Sequence, residues 1–369
     1  MPKDAQQRQK GLQRKRLLEE YSNYGNTVTL IASLEQWFDH RWGASGTEHS
    51  GLLEAFDRFP LIASRRPDFE VRFRTPYALI GECKKVLHSK ETSDDLDQVM
   101  AYATHSETRL YGVPCDVLVL VNSENDDKAA ESLMSRCQWP TSTDEHTVQV
   151  RPIVVLGCYL DAQGIHGEWY KLKWRGHYQN HRFHKPNICN DGSTKDLNAL
   201  IADAESSFHP IPVNRSAVGR AGRSPFINDP PPALYTVDRL VVPVLSGLLT
   251  DEDRDELQAT GKVVKVFAKA DILGSDLVAR LDPKPPRLDT WVETALDCLV
   301  ATLKWAELVE GTHPKQYRVM IDGKWLKRDI REWGADRAAA AAVKTKISRR
   351  RSRRGRDIPY DPTQAKMFK

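Results

Sequence analysis

The sequence predicts an α/β protein in which helices flank a mixed central sheet, followed by a smaller C-terminal α+β domain and a basic tail. Between residues 50 and 160, apolar runs of strand length alternate with apolar residues at helical spacing, a pattern typical of a sheet covered by helices. A second set of strand and helix patterns follows a proline-rich stretch near residue 230, which indicates another domain. A chain of 369 residues, 40% hydrophobic and 28% charged, is long enough for both.

The elements of the predicted sheet domain follow one another closely. Apolar residues partly at helical spacing predict a helical or mixed segment over residues 18–42 and a short helix over Leu52–Phe56. Alternation with period two in Phe69–Phe73 and a second apolar run in Tyr77–Lys84 predict a β-hairpin. We further expect a helix from Asp94 to His105 and buried strands at Asp116–Asn122 and Val148–Leu160.

The composition divides the chain into five segments. We expect a basic N-terminal arm at 1–25, the sheet domain at 26–176, a connecting region at 177–234, the α+β domain at 235–335 and a basic flexible tail at 336–369. The connecting region has one expected helix, at Asp196–Ser206. The elements expected in the α+β domain are a helix at Asp251–Ala259, a strand at Val263–Phe267, a long helix at Thr290–Glu310 and a hairpin at Gln316–Leu326.

Several classes of protein are disfavoured by the same sequence. No apolar run approaches the ~18 residues that a membrane-spanning helix needs, and no apolar core follows the charged N-terminus, so a cytoplasmic location is expected. The six cysteines include no Cys-x-x-Cys pair, which argues against a disulfide framework or a thiolate zinc knuckle. A phosphate-cradling Walker loop, a Ser-His-Asp order and a kinase signature are also absent from the sequence.

The positive charge lies at both ends of the chain and is densest at the C-terminus. The chain has a net charge of +4, whereas residues 344–369 carry ten Lys/Arg and two Asp. A basic segment of this kind would bind DNA phosphates by releasing counterions, and its alternative is a flexible, solubilising tail. The residues expected to contact nucleic acid are Lys344, Lys346, Arg349, Arg350, Arg351, Arg353, Arg354 and Arg356.

One constellation of residues in the predicted hairpin can support chemistry. Glu82 and Lys84 are two apart on a strand, so both side chains emerge on one face, and pairing with the preceding strand brings Asp68 beside Glu82. Mg²⁺ prefers oxygen ligands from one or two carboxylates, water and phosphate, and Asp68 and Glu82 with the carbonyl of Cys83 could supply them. Lys84 could then position a water molecule for attack on a phosphate.

The motif Pro67-Asp68 followed by Glu82-Cys83-Lys84 resembles the PD-(D/E)XK nuclease superfamily, whose fold is that of restriction endonucleases. Gln98 and Tyr102 on the downstream helix match the QxxxY pair of its RecB-like branch, in which these residues support the lysine and the DNA backbone. Members often carry a glutamate on a helix before the first motif, for which Glu54 is the first candidate and Glu35 the second.

The resemblance implies a metal-dependent deoxyribonuclease with residues 26–176 as its nuclease domain and Asp68, Glu82 and Lys84 as catalytic residues. Mg²⁺ would be the cofactor and Mn²⁺ a substitute. DNA would be the partner, and a homodimer would allow both strands to be cut. The implied settings are restriction and antiviral defence, repair, or the processing of mobile-element DNA.

Three alternatives to this function stay open. Asp68 could simply begin a strand, with Glu82 and Lys84 on a solvated sheet edge. The domain could also be a non-catalytic adaptor that binds nucleic acid, or a ribonuclease of the same fold, because metal-assisted hydrolysis treats both backbones alike.

Two further motifs have weaker support. His177, His181, His184 and Cys189 have spacing compatible with zinc, but they fit equally a strand-binding surface or an ordinary loop. The last residues resemble the bacterial sliding-clamp-binding peptide, with a frayed terminus as the alternative. The residues that carry this second resemblance are Gln364, Met367 and Phe368.

Overall fold

The computed structural model describes residues 3–44, 51–62, 65–74, 77–84, 94–104, 115–122, 153–164, 167–177, 207–211, 213, 218, 222–322 and 331–342. The chain divides into two compact units, each assembled from separate segments. We call them the sheet unit (Tyr24–Pro231 and Leu277–Leu288) and the terminal unit (Met1–Asn23, Pro232–Asp276 and Asp289–Lys369). They therefore differ from the contiguous domains predicted at 26–176 and 235–335.

A seven-stranded mixed sheet forms the centre of the sheet unit, and its strands lie side by side in chain order. The third, fourth and fifth strands are parallel, whereas the other neighbours pair antiparallel. This confirms the mixed α/β class and the predicted hairpin. The strands are β1 (Leu53–Asp57), β2 (Phe69–Phe73), β3 (Tyr77–Lys84), β4 (Cys115–Asn122), β5 (Ile153–Gly164), β6 (Gly167–His177) and β7 (Ser207–Phe208).

The first helix, α1 (Lys3–Trp42), covers one face of this sheet with the aromatic residues near its C-terminal end. The ring of Phe38 lies 5.9 Å from that of Phe56 on β1, and the ring of Trp42 lies 6.0 Å from that of Phe73 on β2. Such aromatic contacts bury large apolar surfaces. They fix the first two strands against the helix.

The opposite face of the sheet carries the second helix, α2 (Asp94–Thr104), which connects the parallel strands β3 and β4. Gly81 pairs directly with Phe69, and a Cβ at this position would lie 2.0 Å from the Phe69 ring, so only glycine fits. Because neighbouring side chains on a strand point to opposite faces, Glu82 projects away from Phe69. Lys84 projects to the same face as Glu82 and hydrogen-bonds Gln98 of α2.

The terminal unit contains an antiparallel three-stranded sheet in which the last strand lies in the middle. Its strands are β8 (Lys262–Ala268), β9 (Ala306–Val309) and β10 (Gln316–Asp322). The helices described after residue 230 are α3 (Ala233–Thr236, π-helical Val237–Val241 and Val242–Gly247), α4 (Asp251–Thr260), α5 (Lys269–Leu273), α6 (Asp276–Ala279), α7 (Leu288–Asp297, continued by π-helical Cys298–Leu303) and α8 (331–342).

The expected helix at Asp251 and the expected strand after it are both present, as α4 and β8. Thr250 caps α4 by accepting a hydrogen bond from the Asp253 backbone amide, and the Asp253 carboxylate accepts one from the Thr250 amide. This reciprocal capping satisfies amides that would otherwise lack partners at the helix start.

Three predicted elements were wrong. The basic arm expected at 1–25 is helical from Lys3 onward as part of α1, and Arg14 pairs with Glu332 and, at 2.9 Å, with Asp336 of α8. The predicted helix Leu52–Phe56 is strand β1, because pairing with β2 outweighs the helix preference of these residues. The helix expected to reach Glu310 ends earlier, and Ala306–Val309 instead pairs with β10.

Within the described residues, no single helix combines the length and the apolar character needed to cross a membrane. The bent pair Ala233–Gly247 and Asp251–Thr260 reaches that length and composition only when its two helices are taken together. The expected helix at Asp196–Ser206 lies outside the described residues, as does the turn expected after Asp322.

Candidate functional site

Two carboxylates meet where β2 and β3 pair. Asp68 directly precedes β2, and the register that pairs Phe69 with Gly81 sets Asp68 beside Glu82. The Asp68 backbone amide donates to the Gly81 carbonyl at 3.0 Å, and the Cys83 amide donates to Asp68 Oδ2 at 2.7 Å. Asp68 and Glu82 are each only 4% exposed. The hairpin therefore holds two acidic groups together and away from water, as its predicted register requires.

The environment of this pair opposes negative charge. Burial raises the pKa of Asp68 well above its ordinary value, and the carboxylates of Glu82 and Asp229 raise it further. Burial likewise raises the pKa of Glu82 to about 7, although Lys84 opposes the rise. Buried like charges of this kind are stabilised by protons or by a cation.

One oxygen of Glu82 is available to a cation. Glu82 Oε1 lies 2.7 Å from Lys84 Nζ, whereas Oε2 is buried and has no hydrogen-bond partner among the described residues. A buried acceptor without a partner costs about 1–3 kcal/mol, and a bound cation would remove that cost. This unpartnered oxygen is the observation that best fits a metal ligand.

Two consecutive hydrogen bonds with residues of α2 orient the side chain of Lys84. Lys84 Nζ donates to Gln98 Oε1 at 3.0 Å, and Gln98 Nε2 donates to Tyr102 OH at 2.7 Å. Lysine can only donate, which fixes the orientation of the Gln98 amide. Burial raises the pKa of Tyr102 well above its ordinary value, so its hydroxyl stays protonated. The residues of the QxxxY motif thus orient Lys84 towards Glu82.

The residues of this pair fit a hard divalent cation better than a soft one. Burial raises the pKa of the Cys83 thiol well above its ordinary value, so this side chain is not a thiolate ligand. Among the residues that the structure describes, no cluster of three or more His, Cys, Asp or Glu side chains is arranged to hold a metal. Two carboxylates with the Cys83 carbonyl leave positions for water and phosphate, as Mg²⁺ sites in proteins commonly do.

A third acidic residue near the pair was not found by sequence reasoning. Asp229 is exposed, yet its charge raises the pKa values of both Asp68 and Glu82. Its neighbour Asn228 anchors it, because the Asn228 amide donates to the carbonyls of Pro60 at 2.9 Å and of Pro67 at 2.7 Å. The local sequence, Asn-Asp before three prolines, indicates a turn and gives no sign of a site.

The glutamates expected to support the site lie elsewhere. Glu54 is exposed on β1 and does not lie on a helix, and its negative charge contributes to the raised pKa of Glu70. Glu35 lies on α1 but pairs with the buried Arg58, whose Nε donates to Glu35 Oε2 at 2.8 Å. The helix expected to carry Glu54 is therefore wrong. The contacts of the carboxylate pair given above include neither glutamate, and a supporting role for either stays a prediction.

Several other predicted residues lie outside the described part of the chain. His177 ends β6, but His181, His184 and Cys189 are among the residues that are not described. The same is true of the basic residues of the tail at 344–356 and of the peptide residues Gln364, Met367 and Phe368. Zinc binding, contact of the tail with phosphates and clamp binding therefore stay predictions.

Comparison with protein-family models, with curated proteins and with solved structures finds no match to this chain.

Proposed function

We propose that this protein is a metal-dependent nuclease that hydrolyses phosphodiester bonds in DNA. The observation that supports it best is the buried pair Asp68 and Glu82, in which one Glu82 oxygen has no hydrogen-bond partner in the described part of the chain and the other lies 2.7 Å from Lys84 Nζ. A pure binding module has no need for two buried carboxylates whose repulsion must be offset. The resemblance of these residues to the PD-(D/E)XK motif supports the same proposal, of which a restriction-endonuclease-like core is a part.

Each residue of the site would have a distinct task. Asp68 and Glu82 would hold Mg²⁺ together with the Cys83 carbonyl, and Mn²⁺ would be accepted by the same oxygen ligands. The metal would supply charge neutralisation at the scissile phosphate and a lower pKa for a bound water molecule. Lys84 would orient the attacking water and stabilise negative charge that develops on the phosphate. Gln98 and Tyr102 would keep the ammonium group in place through their hydrogen bonds.

DNA is proposed as the substrate because of the motif resemblance and the basic tail, which would add sequence-independent affinity for phosphates. The restriction, antiviral-defence, repair and mobile-element settings, a cytoplasmic location and a homodimer that cuts both strands are parts of the same proposal.

The decisive experiment is a cleavage assay on supercoiled, linear and single-stranded DNA and on RNA of matched sequence, with Mg²⁺, Mn²⁺ or a chelator. Asp68→Asn and Lys84→Ala should abolish cutting. The exposed residues Asp255 and Lys284 supply matched control variants, Asp255→Asn and Lys284→Ala, which should cut like the wild type.

The outcomes separate the alternatives. Metal-dependent cutting of DNA that both site variants lose supports the proposal. Cutting confined to RNA would identify a ribonuclease. Binding of nucleic acid without cutting of any substrate would leave the adaptor, and cutting that survives in Asp68→Asn would place the chemistry elsewhere.

A further inference from the structure

Two arginines from distant parts of the chain, Arg66 and Arg287, are connected to the segment that carries Asp68. Arg287 Nη2 donates to the Asn228 carbonyl at 2.6 Å, and the Asn228 amide donates to the Pro67 carbonyl at 2.7 Å. Pro67 lies between Arg66 and Asp68, so Asn228 connects Arg287 to the segment that carries both residues. Two residues of chain span at most about 7 Å, which places the backbone of Arg66 close to that of Asp68.

The two guanidinium groups also interact electrostatically. Burial lowers the pKa of Arg287, the positive charge of Arg66 lowers it further, and the charge of Asp229 opposes this. Arg66 makes no hydrogen bond or ion pair with the residues that the structure describes, and it is half-buried, like Arg287. The charges of Asp229 and Arg66 thus both act on Arg287, and two positive charges this close to each other favour an anion that both arginines can contact.

We propose that Arg66 and Arg287 bind a backbone phosphate of a nucleic-acid strand next to the Asp68–Glu82 pair. This proposal rests on the nuclease function and adds where the substrate strand lies. The guanidinium fork matches phosphate oxygens and stays charged under all working conditions. A strand carries one phosphate per 3.4 Å of helix axis, so one phosphate can occupy the carboxylate site while a neighbour contacts the arginines.

This arrangement gives Asn228 a positioning role. Its side chain fixes the carbonyl next to Asp68, and its own carbonyl holds Arg287. Asn228 thereby holds Arg287 against the segment that carries Arg66 and Asp68. A phosphate bound by the arginines would align the strand with the carboxylates instead of merely attracting it.

The test measures binding separately from cutting. Fluorescence anisotropy with a short duplex and a single-stranded oligonucleotide, in Ca²⁺ and over a range of salt, would compare the wild type with Arg66→Gln and Arg287→Lys. Arg66→Gln is the cleaner variant because Arg66 makes no hydrogen bond within the described residues, whereas Arg287→Lys retains a donor for the Asn228 carbonyl. Arg254→Gln is the matched control, because it removes one positive charge from an exposed position of α4 in the terminal unit.

We expect Arg66→Gln to weaken binding about tenfold and to reduce the slope of log affinity against log salt by about 0.9 for duplex DNA. Arg254→Gln should leave both quantities unchanged. Mn²⁺ binding without nucleic acid should be the same in Arg66→Gln and the wild type, which shows that the carboxylate site is intact.

The proposal is overturned if Arg66→Gln binds with the affinity and salt slope of the wild type, or if Arg254→Gln loses as much affinity as Arg66→Gln. It is also overturned if the wild type binds neither the duplex nor the single-stranded oligonucleotide. These outcomes are distinct from failure of the proposed function. If Arg66→Gln cuts normally with an unchanged KM, the nuclease proposal stands and the phosphate site is refuted. If binding depends on Arg66 but the protein never cuts, the phosphate site stands and the nuclease proposal is refuted.

Discussion

Replacing Glu82 with glutamine should stabilise the metal-free protein while removing its response to divalent metal. Glu82 is buried beside Asp68, and one of its oxygens has no hydrogen-bond partner among the described residues. Glutamine has nearly the same shape and can still accept a hydrogen bond from Lys84. The substitution therefore removes a buried charge and leaves the packing of the site in place.

The size of this effect follows from the pKa of Glu82, which burial raises from 4.5 to about 7. A folded-state pKa above the unfolded value means that the folded protein binds the proton more tightly, so stability falls as pH rises from about 4.5 to about 7. Each unit of pKa difference corresponds to about 1.4 kcal/mol. The free energy of unfolding of the wild type is therefore about 3 kcal/mol lower above this pH range than below it. Glu82→Gln avoids this loss.

The assay is urea unfolding in a chelator at about pH 5 and about pH 8, repeated at the higher pH with Mn²⁺. The stability of Glu82→Gln relative to the wild type should increase from the lower to the higher pH, and Mn²⁺ should stabilise the wild type but not Glu82→Gln. Glu256→Gln, which changes an exposed glutamate of α4, is the matched control: its stability relative to the wild type should not change with pH, and Mn²⁺ should stabilise it as much as the wild type. A difference between Glu82→Gln and the wild type that does not change with pH would refute the reasoning.

Three further predictions concern the supports of the site. Gln98→Leu removes the acceptor that orients Lys84, so kcat for cleavage should fall about tenfold with little change in KM, and a large rise in KM would contradict this role. Asn228→Ala leaves two proline carbonyls without their donor, so urea unfolding should show a loss of about 2–4 kcal/mol together with weaker Mn²⁺ binding, and an unchanged Mn²⁺ affinity would refute the anchoring role. Gly81→Ala places a Cβ against the Phe69 ring and should lower stability by about 1–3 kcal/mol, whereas an unchanged midpoint in thermal unfolding would show that the ring can move aside.

The parts of the fold that the sequence predicted correctly are local. A periodicity of apolar residues marks each of three elements: the hairpin of β2 and β3, helix α2 and strand β4. The pairing of Asp68 with Glu82 follows from the short turn of the hairpin. The contact of Lys84 with Gln98 follows in turn from the crossover between parallel strands.

The parts that were missed depend on contacts distant in sequence. Residues Leu52–Phe56 favour a helix locally, but the ladder with β2 makes them a strand. The charges of residues 1–25 suggested a solvated arm, whereas Arg14 pairs with acidic residues of α8. Asp229 reaches the site only because Asn228 bonds to carbonyls far earlier in the chain, and spacing along the sequence cannot reveal such a contact.

The most direct test of the account is a calorimetric titration of Mn²⁺ into the wild type and Asp68→Asn, with plasmid cleavage measured on the same samples. The account predicts that the wild type binds Mn²⁺ and cuts, that Asp68→Asn loses both properties, and that the control Asp255→Asn keeps them. Mn²⁺ binding and cleavage that persist unchanged in Asp68→Asn would contradict the claim that the buried carboxylate pair is the metal site of a nuclease.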